Sequence, residues 1–98
     1  MTVTVVSRYV VTDLKASLKG IRSAKALFLK HGAQDFRLNQ IFTGPHAGQY
    51  IVAVVYSDLA TFAKVRTSVD AELRPLVEKN AKLGDILQER EILTSVDL

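Results

Sequence analysis

The 98-residue chain is 48% apolar with a net charge of +3, which fits one globular domain with a modest core and excludes wholesale disorder. It has no cysteine, so disulfide frameworks and thiolate metal sites are excluded, in keeping with a reducing compartment. No run approaches the ~20 apolar residues of a membrane-spanning helix. The opening MTVTVVSRYVVTD alternates like a strand and has no basic segment before it, so a signal peptide is not expected and the cytoplasm is the expected location.

Thr2–Val11 is rich in β-branched residues and reads as a strand. Val3, Val5, Ser7, Tyr9 and Val11 share one face, with Val6, Arg8 and Val10 on the other. Both faces are largely apolar, so this strand needs cover on two sides. Thr12–Asp13 supplies side-chain oxygens suited to the free amides of a helix start. The helix runs to about Lys30 and stops at Gly32, with His31 capping the last turn, where the helix dipole favours a cation. Leu14, Leu18, Ile21, Phe28 and Leu29 fall on one arc at ~100° per residue. Gly20 sits mid-helix, which costs stability and implies that something approaches closely there. Much of the basic excess lies on this helix (Lys15, Lys19, Arg22, Lys25, Lys30). It lacks the density and interleaved aromatics of a nucleic-acid footprint and reads as a solvated face.

Asp35–Phe42 is a half-polar strand, and Thr43–Gln49 is a loop built on Gly44, Pro45 and Gly48 that carries His46. Tyr50–Ser57 is again apolar on both sides: Tyr50, Val52, Val54 and Tyr56 against Ile51, Ala53 and Val55. A second helix follows Asp58, with Phe62, Val65, Val69, Leu73 and Leu76 on one arc. Pro75 lacks an amide hydrogen, which predicts a kink or restart around Glu72–Pro75. Asp85–Ser95, with Gln88, Glu89, Arg90 and Glu91 at its centre, is a polar strand.

The order β-α-β-β-α-β with short connections predicts one α+β domain over residues 1–98. It is ferredoxin-like, with a four-stranded antiparallel sheet of order 4-1-3-2. The two strands apolar on both faces then fall in the centre. The two charged strands fall at the edges, where charge discourages stray pairing. Both crossovers share a hand, so both helices cover one face of the sheet. The other face keeps apolar residues with nothing in the chain to cover them. A sheet-to-sheet homodimer is the simplest remedy.

The opening strand VTVVSRYVV, the unit HAGQYIVAVVYSDLATFAKV and the broken second helix expected before LGDILQEREIL together resemble the dimeric α/β-barrel superfamily. Its ferredoxin-like protomers pair their sheets to form an α/β barrel. The resemblance covers nearly the whole chain as a pattern of elements. It implies a ligand cavity between helices and sheet, and a membership spanning cofactor-free monooxygenases, haem-degrading proteins, small isomerases, stress-responsive proteins and uncharacterised members. Ser7 stands near where the haem-degrading and quinone-forming members carry an asparagine. Those members also use a tryptophan and a helical histidine, and this chain has no tryptophan and no histidine in its second helix.

Two cations break the helical patterns in the direction of such a cavity. Lys25 falls within the first helix's apolar arc and Arg66 close to the second's. A charge aimed at a core needs a partner or water, so Lys25 and Arg66 are candidate contacts for an anionic or enol-like group in an apolar pocket. Ser7, a polar member of an apolar strand face, and His46, free on its loop to act near neutral pH, complete the candidate ligand-binding set. No catalytic set is defined, and the two distant histidines make no metal site. No cofactor and no metal are expected. The expected function is a homodimer that takes a small apolar or anionic molecule, either as a binder or as a cofactor-free enzyme. The alternatives are a non-catalytic scaffold or regulator, and RNA binding, for which GQYIVAVVY lacks the glycine–aromatic alternation of RNA-recognition strands.

Overall fold

A computed structural model describes all residues 1–98. The elements are β1 (Val3–Val10), α1 (Leu14–Lys30), β2 (Asp35–Gln40), β3 (Tyr50–Tyr56), α2 (Leu59–Lys82) and β4 (Ile86–Thr94). The antiparallel sheet has the order β2-β3-β1-β4, which is the expected order read from the other edge. The two-faced apolar strands β1 and β3 are central and the charged strands are at the edges.

The helix starts follow their caps. Asp13 accepts a hydrogen bond from the Ala16 amide at 3.2 Å, and Asp58 accepts one from Thr61 at 2.7 Å. At the far end of α1, His31 is the C-cap and Gly32 takes a positive φ of 118°. Two boundaries depart from expectation. β2 ends at Gln40, leaving Ile41 in the loop and Phe42 93% exposed. α2 continues through Pro75 without a break. Proline costs one amide donor there, and the apolar arc on both sides of it, Val65 and Val69 before and Leu76 after, holds the helix on the sheet.

Register fixes the two faces of the sheet. Val3, Val5 and Ser7 lie opposite Tyr56, Val54 and Val52 on the helix side. Phe36 joins them from β2. The core forms there: Val3, Val65 and Val69 are at most 1% exposed, with Leu27, Phe36, Val54 and Tyr56 close behind. Full burial of each valine contributes about 1.5–2 kcal/mol.

The molecule is only 16 Å through its thinnest dimension, enough for one sheet layer and one helix layer and no more. The opposite face therefore presents Val6, Val10, Ile51, Ala53 and Val55, all partly exposed. Arg8 crosses the middle of that patch, held by Glu89 at 3.2 Å and by Gln49 at 2.5 Å. β4 pairs with β1 alone, and all nine of its residues are exposed. Between Arg8 and Tyr9 the β1–β4 ladder slips by one residue, so that Arg8 faces Glu89 but Tyr9 faces Leu87. The bulge absorbs Gln88 and turns Leu87 to the helix side.

Candidate functional site

Between the helices and the sheet lies a cavity of about 450 Å³, a size suited to a small organic molecule. Nineteen of its 26 lining residues are hydrophobic, so most of the interaction it offers is apolar. Val5, Val52, Val54 and Phe36 form the sheet wall, and Ile21, Phe28, Phe62, Val69 and Leu73 form the helix wall. α1 turns the small Ala24 towards the cavity, leaving volume that a larger side chain would fill, whereas Asn80 packs directly on Gly20.

One group of polar side chains interrupts the apolar lining. The Arg90 guanidinium donates from Nε to the Ser7 Oγ at 2.7 Å and from Nη2 to the Tyr9 hydroxyl at 3.3 Å. Ser7 is only 5% exposed, so this hydrogen bond satisfies a buried hydroxyl and fixes the arginine. Tyr56 stands nearby, 2% exposed and edge-on to Phe62 at 5.3 Å. Its burial pushes the phenol up to about 12, partly offset by the positive charges of Arg66 and Arg90. Tyr56 is therefore a neutral hydrogen-bonding group at ordinary pH. The result is two cations, one from α2 and one from β4, beside neutral hydroxyls at the wall of an apolar cavity. Such a group can hold an anionic oxygen, or stabilise negative charge that develops on a carbonyl or enol oxygen.

The candidate residues divide evenly. Ser7 and Arg66 both line the cavity, although the Arg66 side chain reaches it from an exposed position. Lys25 and His46 do not line it. Lys25 is exposed because the inward arc of α1 centres on Ser17, Gly20, Ile21, Ala24 and Leu27, placing Lys25 on the flank with Leu14 and Leu18. There its charge helps, as a minor contributor after the Arg37 hydrogen bond, to lower the pKa of Asp35. His46 is exposed in the β2–β3 loop. Arg90 is the residue that sequence patterning passed over, because it sits among charges in an edge strand. The signal that finds it is register: β1–β4 pairing sets Arg90 directly across from Ser7.

A second polar group borders the cavity where α1, α2 and the turn before β4 meet. Asp85 accepts from the Ser17 hydroxyl at 2.7 Å and from the Asn80 amide at 3.1 Å. Asn80 also donates to the Ser17 carbonyl at 3.1 Å, and Ser17 is fully buried. The chain holds no group of histidine, cysteine or carboxylate side chains able to ligate a metal.

With this geometry in place, comparison with solved structures is informative about the fold. SnoaB, a cofactor-independent oxygenase from Streptomyces nogalater, superposes with a TM-score of 0.66 at 18% identity, over 99% of this chain and 95% of that one. A candidate antibiotic biosynthesis monooxygenase from Bordetella bronchiseptica gives 0.67 at 18% identity, with 97% of each chain covered. A NIPSNAP family protein from Agrobacterium tumefaciens gives 0.65 at 15% identity, over 99% of this chain and 95% of that one. No protein-family model matches the chain, and no curated protein matches it. The fold is ferredoxin-like, βαββαβ with a four-stranded antiparallel sheet, as in these neighbours. Its structural neighbours are monooxygenase-like and NIPSNAP proteins.

Proposed function

We propose that the protein forms a homodimer through its uncovered sheet face, and that each protomer binds a small, largely apolar molecule carrying an anionic or enolic oxygen. The observation that carries this reading is the Arg90–Ser7–Tyr9 cluster, with Arg66 alongside, at the wall of an otherwise apolar cavity. An apolar cavity alone selects for size and hydrophobicity. A fixed guanidinium in it selects for negative charge, and a charge-assisted hydrogen bond there is worth about 1.5–3 kcal/mol. Cofactor-free transformation of the bound molecule is the natural extension, since SnoaB shares the fold and is a cofactor-independent oxygenase. In that case the arginines would hold the substrate as its enolate or phenolate, the proton having passed to solvent water, beside the hydroxyls of Tyr56 and Tyr9. The cavity between these helices and strands supports this reading over a non-catalytic scaffold, for which a filled core is expected.

Calorimetric titration with 2-naphthoate, a rigid apolar anion of suitable size, tests the proposal. Wild-type protein binds it, Arg90→Gln weakens binding by at least about tenfold, and Arg66→Met weakens it less, because Arg90 is fixed by its bonds to Ser7 and Tyr9 and no hydrogen bond within the protein fixes Arg66. Unchanged affinity in both variants removes the arginines from the site. No binding by the wild type refutes the proposed ligand class.

A further inference from the structure

Two polar groups of opposite sign line the cavity, Arg90 with Ser7 and Tyr9, and Asp85 with Ser17 and Asn80. We infer that the ligand carries a hydrogen-bond donor, such as a hydroxyl group, at the end remote from its anionic oxygen, and that Asp85 is the residue that reads it. The inference rests on the proposed function, because it deepens the specificity of the same cavity.

Asp85 lines the cavity and is partly buried. Its carboxylate is held at both oxygens, Oδ1 by the Ser17 hydroxyl at 2.7 Å and Oδ2 by the Asn80 amide at 3.1 Å. Both donors are neutral. The chain's four ion pairs, Arg8–Glu89, His31–Glu72, Arg37–Asp35 and Arg74–Asp70, leave Asp85 without a cation. Asp70, the other acidic residue in the lining, is already paired with Arg74 at 2.8 Å. A partly buried carboxylate with two neutral donors retains lone pairs to accept from a third. Because Ser17 and Asn80 fix its orientation, a ligand donor meets a preorganised acceptor.

Position along β4 sets the spacing. Arg90 lies opposite Ser7 and Ile86 opposite Val10, three residues or about 10 Å apart along β1 because the bulge absorbs Gln88, and Asp85 directly precedes Ile86. Arg90 leans back towards Tyr9, whose register partner is Leu87, so its guanidinium shortens that gap. A rigid bicyclic aromatic with polar groups on opposite ends is a probe of that order of length. Anionic oxygen at the Arg90 end and donor at the Asp85 end then specify which way round the molecule binds.

Titrating wild type and Asp85→Asn with 2-naphthoate and 6-hydroxy-2-naphthoate tests this. The hydroxylated probe is expected to bind wild-type protein about tenfold more tightly, as a hydrogen bond to a carboxylate allows. The ratio should collapse to about one in Asp85→Asn. Because the readout is a ratio within one protein, general loosening of the variant does not mimic the result. As a second measurement, the Asn80 side-chain amide resonance in wild-type protein should move with the hydroxylated probe and stay in place with 2-naphthoate. Equal affinity for the two probes in the wild type, or a preference that survives Asp85→Asn, overturns the role of Asp85 and leaves the proposed function standing. Failure of both probes to bind overturns the two together.

Discussion

Gly20→Ala offers a sharp test of how α1 and α2 are joined. Alanine normally stabilises a helix interior by about 1 kcal/mol over glycine. Here a Cβ on residue 20 would lie 2.9 Å from Asn80 Cγ and closer still to its Oδ1. Asn80 would have to move, breaking its bonds to the Ser17 carbonyl and to Asp85. Two such bonds contribute about 1 kcal/mol each, and leaving the partly buried Asp85 Oδ2 without its donor costs about 1 kcal/mol more. The net is a loss of about 1–2 kcal/mol, or a fall in Tm of roughly 5–15 °C for a domain of this size. Thermal unfolding followed by circular dichroism measures it. In an Asn80→Ala background the obstruction is gone, so the same Gly20→Ala change should raise Tm. A rise in the wild-type background as well would refute close packing of Asn80 on Gly20.

Two other outcomes follow from features of the surface. Val6→Lys puts a charge at the centre of the uncovered sheet face and should convert the proposed dimer to monomer in sedimentation velocity, with the helix signal retained. A wild-type monomer at tens of micromolar would refute the interface. Asp58 has its carboxyl pKa lowered by its hydrogen bonds to the Thr61 backbone and side chain. A pKa lower in the folded than in the unfolded state means that this stability is present above about pH 4 and is lost as pH falls through the folded value. Asp58→Asn should therefore flatten the acid side of the Tm–pH curve. An unaltered acid limb would show that the cap does not couple to folding.

The fold was legible because several local signals agreed. Two strands apolar on both faces could only be central, two helix caps stood at the right places, and Gly20 announced a close contact that proved to be Asn80. The site was half legible. Ser7 and Arg66 line the cavity, as the interrupted apolar patterns suggested. Lys25 does not, because an arc drawn through all apolar residues of α1 is wider than the arc that touches the sheet. Leu14 and Leu18 pulled its estimated centre towards Lys25, whereas the most buried positions are Ser17 and Leu27. His46 was chosen for its chemistry alone, and nothing in its surroundings draws it inward. Arg90 and Asp85 escaped because their roles depend on which residues lie across from them, and a bulge in the β1–β4 ladder hides that register from periodicity. Pro75 shows the opposite failure, where a strong local signal was overruled by the packing of the helix around it.

The slip between Arg8 and Tyr9 bears on which changes of length β4 tolerates. A regular ladder through the same sequence would set Gln88 opposite Tyr9, facing the cavity, and turn Leu87 to the outside, while Arg90 kept its place opposite Ser7. Deleting Gln88 instead closes the bulge and leaves Leu87 opposite Tyr9. The apolar wall beside Arg90 therefore survives loss of this one residue, whereas loss of Leu87 sets Gln88 in its place.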